Sequence, residues 1–223
     1  MSKLDTIDFN YDQCRREVQA LGCLLANQAV LREKNDILPF FKNHPQLSAL
    51  CSIFNTNIGQ TDRIGHEYHL FNSFFCDLVI GDWQKKAYCF IEFEDTKPTS
   101  IFTNRKKDCR DWGPRFEHGY SQIIDWFYKI DGMKEHQDCE TYFCKRSIDY
   151  EGILVIGRDQ YFQEGEKERL EWRTRHVIVN SKKIHCVTFD GLFSQMQKRL
   201  DTFELIAGSA KKTGPGTAAP SSH

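Results

Sequence analysis

The chain has 223 residues, enough for one domain with a short extension at roughly 150 residues per domain. Hydrophobic residues make up 40%, which supports one sizeable core, and 30 Lys+Arg against 31 Asp+Glu leave a formal charge of −1, which excludes a polybasic binder working by bulk charge. No apolar stretch of about 18 residues occurs, which excludes a membrane-spanning helix, so no membrane partner is expected. The opening, MSKLDTIDFN, lacks the apolar core of a signal peptide, so cytoplasmic residence is expected. The nine cysteines contain no CxxC and read as reduced thiols; the spacing of His136, Cys139 and Cys144 fits no common zinc pattern.

Residues 11–35 predict a helix, with Val18, Leu21, Leu24, Leu25 and Val30 roughly on the 3.6 period. Asp36 is expected to cap a second helix (DILPFFKNH), and Pro45 suits the first turn of a third (PQLSALCSIF). Two runs rich in Phe, Val, Ile and Tyr follow, separated by Gly81-Asp82-Trp83-Gln84, and predict an antiparallel hairpin with an earlier edge strand near 68–71. Both runs are nearly continuous in apolar residues, so both sheet faces should be covered. Residues 95–113 are polar and read as a long loop, of a length that is usually functional or mobile. A helix is expected over 114–131, its buried stripe made of Phe116, Tyr120, Ile123, Ile124, Phe127 and Ile130. Then come a buried strand (152–158), a charged helix (163–175), two strands (176–180 and 184–188) and a last helix capped by Asp190. The tail from 209 is rich in Gly, Pro, Ser and Ala and is expected to be disordered. This order predicts an α/β (α+β) layer structure with a mixed sheet.

Asp77 lies inside the apolar run SFFCDLVI. A buried ionised carboxylate is costly without a partner or a metal. Strand alternation puts it on the same face as Phe75 and Val79; pairing to a buried Arg or to backbone amides is the plain alternative. Glu92 and Glu94 are two apart at the end of AYCFIEFED, so they share a face on which like charges repel. The hairpin can bring Asp77 near Glu92, and the three carboxylates then offer a hard-oxygen site suited to Mg²⁺ or Mn²⁺. A solvated strand end is the alternative for the two glutamates.

Asp77, fourteen residues, then Glu92-Phe93-Glu94 resembles the PD-(D/E)XK nuclease signature. The segments IEFEDTKPTSIF, WGPRFEHGYSQIIDWFYKIDG, GILVIGR and IHCVTFDGLF resemble the nuclease domain of the Shedu anti-phage defence family, over roughly residues 30–200. The resemblance implies a restriction-endonuclease-like mixed sheet of about four to five strands flanked by helices. Residues 1–60 would then be a helical segment packed on the core, 61–207 the nuclease core and 208–223 a disordered tail. It also implies a metal-dependent endonuclease that hydrolyses phosphodiester bonds, with DNA as the expected partner, and makes a homo-oligomer an expectation. Asp77, Glu92 and Glu94 are the metal ligands this reading names.

The sequence departs from the family at one place. The family usually carries Lys two residues after the motif Glu, and Glu94 stands there, followed by Asp95. Glu94 could bind a second cation, Lys97 could reach in from three residues later, or cleavage is lost and a catalytically silent nucleic-acid-binding or sensing module remains. Gln122 resembles the motif glutamine on the helix after the active strand, where an amide can bond a water or a phosphate oxygen. Glu117 and His118 are lesser candidates for substrate contact. Arg105, Lys106, Lys107 and Arg110 could grip the phosphate backbone, or could belong to a solvated loop. The run Lys167, Arg169, Arg173, Arg175, interleaved with Glu164, Glu166, Glu168 and Glu171, reads as a charged helix face stabilised by local pairs rather than a binding surface. His66-x-x-His69 reads as a strand-edge pair.

Overall fold

A computed structural model describes residues 4–71, 73–103, 109–133, 140, 142–143 and 147–212, with side chains to 206. A mixed sheet of seven strands, among the described residues, runs in the order β1-β2-β3-β4-β7-β9-β8. Its strands are β1 (Asp5–Thr6), β2 (Arg63–Leu70), β3 (Phe74–Asp82), β4 (Ala87–Phe93), β7 (Asp149–Val155), β8 (Ile178–Val179) and β9 (Lys182–Val187). β1 to β4 are antiparallel neighbours, β4–β7 and β7–β9 are parallel, and β8 closes the far edge antiparallel to β9. The four to five strands implied by the resemblance match the five longer ones; the strand expected over 176–180 is the two-residue edge β8, and β1 is the addition. A separate ribbon, β5 (Phe102–Thr103) with β6 (Asp111–Trp112), lies within the segment expected to be loop.

Six helices among the described residues cover both faces. α4 (Pro114–Met133) carries the chain from β4 to β7, and α5 (Glu166–His176) from β7 towards β9. Phe116, Tyr120, Ile123, Trp126 and Leu170 from these helices share a core with Tyr88, Phe90 and Leu154 of the sheet. The opposite face receives α1 (Tyr11–Asn27), α2 (Leu38–Asn43), α3 (Pro45–Leu50) and α6 (Phe189–Lys212), whose Leu21, Phe41, Leu47 and Met196 pack on Cys89, Ile91 and Phe93. Even residues of β4 therefore face α4 and odd residues face α1. Two glycines let α4 approach closely: a Cβ on Gly152 would meet Ile123 Cγ2 at 2.4 Å, and one on Gly119 would meet Leu154 Cδ1 at 2.7 Å. No helix among the described residues is long and apolar enough to cross a membrane.

Several boundaries differ from expectation, each for a tertiary reason. α1 stops at Asn27 because the following segment is captured by Thr96: Thr96 N–H donates to Leu31 O (3.0 Å) and Leu31 N–H to Thr96 Oγ1 (2.6 Å). Val30, expected in the buried stripe, is consequently 42% exposed. Glu33–Ile37 forms a π-helical turn capped by Asp36 Oδ2, which accepts from Arg32 N–H (2.7 Å). Thr188 Oγ1, not Asp190, caps α6 by accepting from Gly191 N–H (2.9 Å). The helix continues to Lys212, past the point where disorder was expected; 213–223 lie outside the described residues. On α5 only Arg175–Glu171 is a local pair. Glu166 is buried against Arg110, and Arg173 reaches Glu117 of α4, so one side of this helix is tied to the core while Lys167, Glu168, Glu171 and Arg175 stay exposed.

Asp82 holds the base of the β3–β4 hairpin. Its Oδ1 accepts from the backbone N–H of Gln84 (3.0 Å) and Lys85 (2.9 Å), its Oδ2 from Gly59 (3.1 Å) and Gln60 (3.2 Å). Burial pushes this carboxyl up, and the four amides outweigh it, so Asp82 titrates below the usual carboxylate range. Its stabilisation is therefore complete above the unfolded value of about 3.9 and is lost as pH falls through the lower folded value. Asp82→Ala, which leaves four amides without their acceptor, is expected to cost about 3 kcal/mol at neutral pH, with a smaller deficit in acid. Urea denaturation at two pH values checks this; a deficit that does not shrink in acid contradicts it.

Candidate functional site

The sheet opens into a cleft of about 530 Å³ at the C-terminal end of β4. β4 is buried along its whole length between β3 and β7, so its direction is fixed from both sides. Glu92 follows Tyr88 and Phe90 onto the α4 face. Glu94, one step past the strand and held by its N–H to Val155 O (2.9 Å), lies against Gly119 of α4. Glu92 is 6% exposed and Glu94 1%.

Asp77 enters the same cleft from β3. Simple alternation fails here. Cys76 and Val79, three apart, both sit in the core on the α4 side, and on β2 Tyr68, opposite Cys76, and Ile64, opposite Ile80, belong to different faces although four apart. Both strands swivel between these positions, and Glu67, across from Asp77, takes a positive φ of 46°. The expected sharing of one face by Asp77, Phe75 and Val79 therefore holds in part: Phe75 lines the cleft with Asp77 and is 59% exposed, whereas Val79 is fully buried in the α4-side core. The Asp77 carboxylate accepts a hydrogen bond from Phe93 N–H (2.8 Å).

Burial raises the Asp77 carboxyl above its ordinary range, with the Phe93 amide opposing. Burial raises Glu92 well above its own, reinforced by Asp77 and Glu94. Glu94 is pushed up to about 8 by burial, with Arg115 opposing. Arg115 Nε stands 2.9 Å from Glu94 Oε2, and its Nη2 donates to Glu33 Oε2 (2.6 Å) in the π-helical turn. Among the described residues, Glu94 Oε2 nevertheless has no hydrogen-bond partner, nor does Gln122 Oε1. Asp95 behaves differently. Burial pushes it up, but Lys97 Nζ (2.7 Å) and the Ser100 hydroxyl outweigh this and hold it below the usual range.

The cleft thus gathers Asp77, Glu92, Glu94, Lys97, His118 and Gln122, with Arg32, Glu33, Lys34 and Arg115 closing its sides. Lys97 keeps 56% of its side chain exposed while paired with Asp95. The donors at the floor are carboxylate oxygens, buried and mutually repelling, which is the chemistry a hard divalent cation relieves. As they lie, no group of three His, Cys, Asp or Glu side chains among the described residues is drawn together enough to hold a metal. The donor types fit Mg²⁺ or Mn²⁺, and binding would have to draw the side chains inward.

Other expected contacts lie elsewhere. Glu117 points across to α5, where Arg173 meets it at 2.7 and 3.0 Å. Arg110 is occupied by Glu166 and by Tyr161 O (2.8 Å), so its guanidinium is a structural clamp rather than a free phosphate grip. Arg105, Lys106, Lys107, His136, Cys139 and Cys144 lie outside the described residues. Arg115 and the residues of the π-helical turn were not singled out from sequence. Arg115 carried one signal: a cation in the first turn of a helix opposes the macrodipole and needs an acidic partner. The π-helical turn carried none, because its placement depends on Thr96, more than 60 residues away in the chain.

A comparison with curated proteins returns no match. A family model described as the C-terminal part of the Shedu protein SduA matches residues 31–193, a span that includes every strand from β2 to β9 and the whole cleft, and the chain belongs to this Shedu family.

Proposed function

We propose that the chain is a metal-dependent nuclease that hydrolyses phosphodiester bonds in DNA in anti-phage defence, working in the cytoplasm through the cleft at the end of β4. The observation that carries this reading is the meeting of three desolvated carboxyl groups, Asp77, Glu92 and Glu94, in one open cleft where, among the described residues, Arg115 pairs with Glu94 and Lys97 with Asp95 but no cation forms an ion pair with Asp77 or Glu92. Asp77 and Glu92 would hold Mg²⁺ or Mn²⁺, with Glu94 at their side. When bound, the ion supplies an activated water and neutralises charge on the phosphate.

The protein's own groups do the rest. Gln122, whose amide oxygen has no partner among the described residues, can orient a water. Lys97 and Arg115 border the floor and can steady a phosphate oxygen, the task usually given to the lysine that Glu94 replaces. His118, exposed at the rim, can contact the strand. A second reading, a silent nucleic-acid-binding module, is favoured by the Arg115–Glu94 pair, which already meets part of the acidic charge.

Supercoiled plasmid incubated with Mn²⁺ separates the two readings. Nicking that stops on chelation supports the nuclease; plasmid binding without nicking in either Mg²⁺ or Mn²⁺ supports the silent module.

A further inference from the structure

Phe75 is a large apolar side chain left 59% exposed in a charged cleft. A lone exposed aromatic is ordinary on a protein surface. This one is exposed by a specific device. The swivel of β2 and β3 at Glu67 and Asp77 turns the small Cys76 into the α4-side core and leaves the phenyl ring outside. Uninterrupted alternation from Val79 would have buried it on that same side. The ring is braced on one side by His69, its cross-strand partner, with centroids 3.9 Å apart. Phe75 is two residues from Asp77 on the same strand, about 7 Å along it. Arg32 and Lys34, both exposed, stand in the same cleft. An aromatic face, a cationic wall and an acidic floor together match a nucleotide with its base on the ring and its phosphates between the cations and the carboxyl groups.

We propose that Phe75 stacks an unpaired base beside the scissile phosphate, so that the substrate of this cleft is single-stranded or locally unpaired nucleic acid. The proposal rests on the nuclease reading of the cleft but concerns binding. In a paired duplex both faces of each base are taken by neighbours in the stack, so the ring has a face to offer only where a base has come free.

The test uses the full chain, a fluorescent oligothymidine strand and a blunt duplex, with binding followed by anisotropy in chelator so that no cleavage intervenes. The native protein is expected to prefer the strand. Phe75→Leu, which keeps an apolar side chain at an exposed position, should weaken strand binding about tenfold and leave duplex binding unchanged, and Phe75→Trp should restore strand binding. Equal strand binding by native protein and Phe75→Leu, an equal loss on strand and duplex, no strand binding at all, or a change confined to the oligomeric state would each overturn the proposal. Plasmid nicking in Mn²⁺ is scored separately. Selective weakening in a protein that never nicks keeps the stacking role and removes the nuclease reading, whereas nicking with unchanged strand binding does the reverse.

Discussion

Asp77→Asn is expected to lower Mn²⁺-dependent plasmid nicking by about a thousandfold or more, equivalent to roughly 4 kcal/mol in the barrier. Asparagine keeps the size of the side chain and an oxygen to accept from Phe93 N–H, so the bond that positions residue 77 survives. What is lost is the negative charge facing Glu92, and with it the stronger half of the hard-oxygen pair. The fold should not suffer. Burial already disfavours the ionised form of Asp77, and Glu92 is relieved of its nearest like charge, so thermal unfolding at neutral pH should be no lower than in the native chain. Parallel measurement of nicking rate and melting temperature decides the matter. Nicking retained within about tenfold would remove Asp77 from the chemistry; a matching loss of nicking and of fold would make its role structural.

Arg158→Ala should be the most destabilising single substitution proposed, at about 3–5 kcal/mol. The side chain is 7% exposed and joins three elements. Its Nε meets both Asp190 oxygens (3.1 and 2.9 Å) at the start of α6. Nη1 donates to Gln28 O (2.9 Å) and Nη2 to Leu25 O (2.9 Å), carbonyls at the end of α1. Helix-end carbonyls have no partner within their own helix, so the guanidinium caps α1 while anchoring α6 to the exit of β7. Alanine leaves two acceptors and the Asp190 carboxylate without it, although Asp190 keeps the N–H of Asp159 (2.8 Å). Arg158→Lys should recover little, because one ammonium cannot span three directions. Against a typical total of about 5–15 kcal/mol, the loss would be large. Urea denaturation reads it directly; a change below about 1 kcal/mol would show that water replaces the guanidinium at little cost.

What the sequence revealed depended on how local the cause was. Glu92 and Glu94 could be placed on one face because a strand repeats every two residues, and α4 could be placed because Phe116, Tyr120, Ile123 and Phe127 recur at helical spacing. Asp77 was found as a charge in an apolar run, yet its parting from Val79 was not foreseen. The swivel at Glu67 is set by pairing between two strands, which alternation within one strand does not reveal. The edge β1 is two residues long and owes its form to β2, so no periodicity marks it. Glu166 and Arg173 looked like members of locally paired charges on one helix because their actual partners, Arg110 and Glu117, are each 56 residues away. Arg158 stood at the end of GILVIGR with nothing in its surroundings to show that α1 ends against it.

The central claim is that Asp77, Glu92 and Glu94 form the floor of a divalent-cation site. Diffraction from crystals soaked in Mn²⁺, with the ion located by its anomalous signal, tests it most directly. The expected result is a peak bridging the Asp77 and Glu92 carboxylates with the Glu94 side chain drawn towards it. A peak elsewhere, or none in a protein that still nicks DNA in Mn²⁺, would contradict the claim.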